Sequence, residues 1–349
     1  MKTLAIFRDL MPTKMALPIL NELRKRGNTV FAITEGQAAA HCKQTRAIES
    51  VLLEGNNSLA PVKSSEITRI LGNVGPDVLI IGCSCPINWE LQFAKVARRR
   101  GIPVVAIEDI WGDLSRLGDF IPDLALTIDN LGHGTRAGNS QAIGDIASAV
   151  NPAASNDAQE QVNRLEALAR DKTTVLIVAD HTSNALEIVE LVAKSVRLEE
   201  DPGQFVITHS LVHPKLTKTE AASEILRPAE QLLAGLTVDQ FGGLSTDTRA
   251  VHCHYTVAAF TTPLRIALHN GRRAVSVSGP KSLELLWSET GFRQYPLVAL
   301  EAIPEMNQPA SLSNYDWESL DRTGRAWAER ARFRPEAGAA IESLVTSWQ

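Results

Sequence analysis

Histidines, carboxylates and hydroxyls recur in this chain at points where an apolar run gives way to a helical pattern. His213 precedes Pro214, whose ring fixes the local backbone and could aim an imidazole that titrates near neutral pH. Such a group can hydrogen-bond a phosphate or move a proton; in a plain surface loop it does neither. His181 lies in Asp180-His181-Thr182-Ser183-Asn184, directly after TTVLIVAD, where it could meet a ligand and where Thr182 or Ser183 could equally cap a helix. Glu108 and Asp109 close GIPVVAIED, and a carboxylate there can act as a general base or simply pair with arginines on a rim. Thr261 and Thr262 open a helical pattern. Unpaired N–H groups and the positive end of a helix dipole suit a diphosphate, although threonine also caps helices without any ligand.

Two cysteine-containing strips complete the candidates. Cys83-Ser84-Cys85 follows the most apolar run, and a thiol opening a helix can be a nucleophile. Small residues are also what a tight strand-to-helix turn needs, so the cysteines read as inert while Ser84 is expected to approach the ligand. His252-Cys253-His254 could present two imidazoles to Zn²⁺ from one face of a strand. A third ligand is not apparent, and no metal is expected.

Positioning these groups falls to alternating β-branched runs and helical patterns, the signature of βαβ units feeding a parallel sheet. In the first half, strands are expected at 4–7, 29–34, 77–81, 103–107 and 124–128, with helices near 14–26, 64–71 and 88–100. Between about 137 and 157 the pattern dissolves into small and polar residues, which places a boundary near Asn151 and divides the chain into domains 1–150 and 151–349. The alternation then restarts, with strands at 174–179, 205–208, 250–253 and 274–277 and helices at 158–170, 183–196, 219–234, 262–270 and 281–290. Helices at 316–332 and 336–348 flank Pro335, the last one expected to pack back on the first domain. The expected fold class is α/β, two Rossmann-like doubly wound domains facing an interdomain cleft, with ligands beyond the carboxyl ends of the strands.

Composition removes several classes of function. The 349 residues carry 35 Lys+Arg against 40 Asp+Glu, a formal charge of −5, which is not the field of a nucleic-acid binder. With 44% hydrophobic and 21% charged residues the chain can build packed cores and is not of the disordered class. No run of about 18 uncharged apolar residues predicts a membrane segment, and Arg8 and Asp9 interrupt the stretch a signal peptide would need, so a cytoplasmic location is expected. The 4 cysteines form no CxxC pair and read as reduced thiols. Neither GxGxxG nor a Walker A loop occurs, and GHGTRA (132–137) reads as a turn.

The order of motifs resembles the GT-B superfamily of nucleotide-sugar enzymes, which includes glycosyltransferases and the non-hydrolysing UDP-N-acetylglucosamine 2-epimerases. PDVLIIGCS, a helix and then GIPVVAIE resemble the epimerase series of a PDVV-type strand, a helix and GIPV ending in a functional glutamate, here Glu108. THSLVHPKL is similar to the HP segment of the GT-B second domain, with His213 and Pro214 in the matching places. AFTTPLRIALHNGRRAVSV resembles the donor-phosphate segment, with Thr261 and Thr262 at the phosphate and Ile266 where most members keep a ribose-binding glutamate. Gly82, Cys83 and Ser84 stand where the epimerases carry an acidic HGD-like sequence, which favours transfer over epimerisation.

The resemblance implies a glycosyltransferase that takes a nucleotide-sugar donor and an unknown acceptor, for example in surface-carbohydrate synthesis, with no cofactor and no metal. Glu108 and His213 would be catalytic, and Ser84, His181, Thr261 and Thr262 would bind the nucleotide-sugar. A nucleotide-sugar 2-epimerase or hydrolase on the same fold is the alternative. A non-catalytic binding or scaffold protein with a degenerate GT-B fold is the alternative of another class. A homodimer is compatible with each.

Overall fold

The runs VLII, VVAI and LALT have no polar face, so they need cover on both sides, and each is buried along its whole length at the centre of a parallel sheet. The computed structural model describes residues 1–35, 38–39, 41–42, 51–55, 62–84, 89–131, 139–149, 156–212, 221–334 and 336–348. These fall into two compact units, Met1–Val150 together with Ala331–Gln349, and Asn151–Arg330.

In the first unit the chain runs β1 (Lys2–Phe7), α1 (Leu10–Lys25), β2 (Thr29–Glu35), β3 (Val51–Gly55), α2 (Ser64–Val74), β4 (Val78–Ile81), α3 (Trp89–Arg99), β5 (Val104–Ile107), β6 (Leu124–Thr127) and β7 (Ser140–Ala142). The described strands form one sheet in the order β3-β2-β1-β4-β5-β6-β7, every pair parallel. Ile67, Ile70 and Leu71 of α2 and Phe93, Ala94, Val96 and Ala97 of α3 recur every three or four residues, and this stripe lies on Leu4, Ile6, Leu79 and Ile81. Gly82 ends β4 where a Cβ would sit 2.6 Å from the Pro12 Cβ, so only glycine lets the start of α1 close over the strand.

The second unit contains α4 (Asn156–Asp171), β8 (Thr173–Val178), α5 (Thr182–Arg197), β9 (Phe205–Ser210), α6 (Arg227–Leu232), β10 (Thr237–Val238), α7 (Thr246–His252), β11 (Tyr255–Ala258), α8 (Thr262–His269), β12 (Arg273–Val277), α9 (Pro280–Thr290), β13 (Glu305–Met306) and α10 (Trp317–Arg330). Its sheet, again parallel, has the order β10-β9-β8-β11-β12-β13 among the described residues. The expected strand at 250–253 is corrected here. Ser245 accepts a hydrogen bond from Thr248 N and starts α7, so these residues are helical up to His252, and the strand begins only at Tyr255.

The final helix α11 (Ala337–Trp348) belongs to the first unit. Arg26, which follows α1, pairs with Glu342 at 2.6 Å, Asn28 donates to the other oxygen of Glu342, and Trp348 Nε1 donates to Gly101 O. The chain reaches this helix along Ile143–Ser148, where Arg334 N bonds Ile143 O and Phe333 N bonds Ser148 Oγ. Gly144 permits the approach through a positive φ of 84° and because the Arg332 carbonyl fills the place of a Cβ. Gly144→Ala combines backbone strain with that collision and is expected to cost about 2 kcal/mol or more in urea unfolding. A loss below about 0.5 kcal/mol would show that the terminal segment does not depend on this contact.

Candidate functional site

In a doubly wound sheet, ligands gather where the strand order reverses, beyond the carboxyl ends of the two strands at that point. In the second unit these are β8 and β11. Asp180, just past β8, accepts from Ala259 N through Oδ2 and from Phe260 N through Oδ1, both at 2.9 Å, which fastens the loop after β11. Asn184 Nδ2 reaches Asp180 Oδ2 and Ser282 Oγ, both at 3.3 Å. Ser282 in turn donates from N and Oγ to Glu187, which also receives Lys281 N at the start of α9. A Cβ at Gly279 would displace the Glu187 carboxyl from this position. One network of carboxylates, amides and hydroxyls thus joins the loops after β8, β11 and β12. Burial pushes the Asp180 carboxyl above its ordinary value, against the lowering effect of the Phe260 and Ala259 amides and Asn184.

Thr261 caps α8 in an extended conformation without a side-chain capping bond, and Thr262 is buried behind it. Pro263 brings no N–H, and Leu264 N bonds Thr261 O at 3.1 Å, which leaves the amides of Thr261 and Thr262 as the donors of this terminus. Arg265, 1% exposed, donates from Nη2 to Thr262 Oγ1 at 3.2 Å and places a cation one turn behind them. Ile266 is fully buried. His181 caps α5, its Nδ1 accepting from Ser183 N at 3.3 Å. In the neutral ring the proton then sits on Nε2.

The first unit reverses its order between β1 and β4. Ser84, 1% exposed, donates to Glu90 Oε1 and accepts from Asp9 N at 3.2 Å, and Arg8 N shares Glu90 Oε1 at 3.1 Å. The Arg8 guanidinium lies against Asp9 with both contacts at 3.3 Å. Burial pushes Glu90 up from the usual carboxylate range, opposed by Ser84 and Arg8. Glu108 is also buried, with Gly112 N on Oε1 at 3.1 Å and Ile128 N on Oε2 at 3.0 Å, so it spans the ends of β5 and β6. Asp113 accepts from Asp109 N and Ile110 N, and burial pushes its carboxyl far up. The Cys83 thiol is buried and raised by the same cause, which makes it a poor nucleophile.

His213 and the turn 132–137 lie outside the described residues, as does Cys85. His252 pairs with Glu166 at 3.1 Å, while His254 Nδ1 accepts from Thr174 N. Among the described residues no group of three His, Cys, Asp or Glu side chains could hold a metal ion, and no helix is long and apolar enough to cross a membrane. The structure brings His181, Thr261 and Thr262 to one switch point and puts Ser84 and Glu108 in the other unit. Sequence reasoning missed Asp180, Asn184, Arg265 and Glu90. A carboxylate and an amide flanking His181 were the available signal for the first two.

No sequence family and no curated protein matches the chain. Solved structures do. A Listeria monocytogenes protein given as a candidate UDP-N-acetylglucosamine 2-epimerase superposes with a TM-score of 0.71 at 11% identity, over 99% of this chain and 96% of its own. The UDP-GlcNAc 2-epimerase of Neisseria meningitidis, bound to UDP-GlcNAc, gives 0.63 at 12% over 99% and 100%. The calicheamicin glycosyltransferase CalG4 gives 0.59 at 12% over 99% and 98%. The chain therefore has the GT-B fold, an α/β arrangement of two Rossmann-like units.

Asp180→Asn removes the charge while keeping the shape, and it presents an amide N–H to one of the two backbone donors. A loss of about 1–3 kcal/mol is expected in urea unfolding at pH 7. Because the folded-state pKa is raised above 3.8, the native chain binds this proton more tightly than the unfolded chain. The site's contribution therefore declines as pH rises from near 3.8 through the folded pKa, and the variant should lack that decline. Identical pH profiles for both proteins would contradict the assignment.

Proposed function

We propose that the chain is a glycosyltransferase whose second unit holds the diphosphate of a nucleotide-sugar at the start of α8. The observation that carries this reading is the Asp180 bond to Ala259 N and Phe260 N, which fixes the strand end from which Thr261 and Thr262 offer their amides, with the Arg265 cation behind them. Donors held rigid before the ligand arrives need no reorganisation when charge develops on the leaving diphosphate. His181, whose Nδ1 is taken by Ser183 N, adds its Nε2 donor from the loop after β8, and His213 is assigned a contact to the same phosphates.

Transfer forms a bond from the acceptor oxygen to the anomeric carbon and breaks the bond from that carbon to the diphosphate, which takes up the acceptor hydroxyl's proton as it departs and whose remaining negative charge is held by the α8 terminus. The first unit is assigned the acceptor. Glu108 is held by two backbone N–H bonds, so its role here is to orient the acceptor hydroxyl from a fixed place at the ends of β5 and β6 rather than to move freely as a base. Ser84 acts one step back, because its hydroxyl is shared between Asp9 N and Glu90. An epimerase or hydrolase on the same fold remains the second reading, supported by the likeness to the two epimerase structures.

Isothermal titration with UDP and with uridine tests the proposal. UDP is expected to bind more tightly than uridine, and Arg265→Met should weaken UDP about tenfold while changing uridine little. Absence of UDP binding at millimolar ligand would sink the reading. With UDP-sugars, UDP release that requires an acceptor supports transfer, release without one indicates hydrolysis, and solvent deuterium at the sugar C2 indicates epimerisation.

A further inference from the structure

A second feature of the second unit lies one strand over from the switch point, on β9, whose Ser210 O accepts from Ala179 N. A cavity of about 740 Å³ opens beside the end of β9, between α6 and the short edge strand β10. This lies within the range of small-molecule sites, roughly 300–1,000 Å³. Its lining is of two kinds. Leu226, Leu233, Leu236 and Val238 are apolar, while His209, Ser210, Gln240 and Arg249 are polar or charged.

Arg249 is 8% exposed, and its Nη1 donates to Thr208 Oγ1 at 3.0 Å and His209 O at 2.8 Å. Its Nε is buried with no hydrogen-bond partner among the described residues. A mostly buried guanidinium with unfilled donors is costly, so the cavity beside the Arg249 Nη2 favours a ligand atom that accepts. Burial, together with the neighbouring Arg249, pulls His209 down to about 4, which leaves a neutral ring at neutral pH. The guanidinium is thus the positive charge in this lining, while Glu230, exposed on α6, opposes it at the rim.

We propose that this cavity binds a small amphipathic monoanion, its acidic group on Arg249 and its apolar or aromatic body against Leu226, Leu233, Leu236 and Val238. The assignment is independent of the glycosyltransferase reading, since it uses none of the residues assigned to the diphosphate. One cation with donors still unfilled on Nε and Nη2 matches one anionic group, and four aliphatic side chains match an apolar body.

Fluorescence titration of the full chain with anilinonaphthalene sulfonate, and with the neutral dye phenylnaphthylamine, tests this. The sulfonate dye is expected to bind saturably to one site, about tenfold or more tighter than the neutral dye, and Arg249→Met should abolish that preference. Glu230→Gln should tighten the sulfonate dye by about two- to fivefold with little effect on the neutral dye, and Val238→Glu, which puts a carboxylate in the apolar wall, should weaken both dyes, the sulfonate dye more. Because Arg249 also holds Thr208 and His209, its variant is checked for folding by thermal unfolding. The two exposed positions carry the test if that variant unfolds. Equal affinity for both dyes, or sulfonate binding unmoved by Glu230→Gln and Val238→Glu, would overturn the proposal.

Discussion

The Asp180 carboxylate grips the amides of Ala259 and Phe260 from a loop almost eighty residues away in sequence, and the geometry of the second switch point follows from that grip. The end of β11 cannot fray while both amides are held, so α8 starts at a fixed place and its first two N–H groups point the same way in every molecule. The same carboxylate is a negative charge beside a proposed anion site. That cost is tolerable because its charge is already spread over two backbone donors and Asn184.

The device recurs through the molecule. Glu108 joins Gly112 to Ile128, Glu187 receives Lys281 and Ser282, and Glu199 receives Leu312, Ser311 and Ser313. In each case a carboxylate on one element satisfies backbone donors of a loop or helix start that would otherwise be orphaned. A net charge of −5 therefore says little about partners. Several of the acidic residues act inward as loop fasteners, and positive charge is placed locally, at Arg265 and Arg249, where the proposed anions would bind.

The parallel strands and their covering helices were legible in the sequence because a strand buried on both faces must be apolar throughout, as in VLII and VVAI. Short edge strands such as β10 and β13 carry no such constraint and left no pattern. The strand expected around Cys253 failed because Ser245, eight residues upstream, sets a helix that local composition hides. At the site, the loops were legible from their place after strands, yet the fasteners were not. Asp180 and Ala259 are 79 residues apart, and Ser84 and Asp9 are 75 apart, so only the folded sheet brings them together. Ser84, singled out from its position after β4, bonds Asp9 and Glu90, partners that its own neighbourhood in sequence did not reveal.

A crystal structure with UDP bound tests the central claim most directly. The account predicts diphosphate density at the amides of Thr261 and Thr262, with Asp180 still bonded to Ala259 N and Phe260 N. Diphosphate seated elsewhere, or Asp180 displaced from those amides by the ligand, would contradict it.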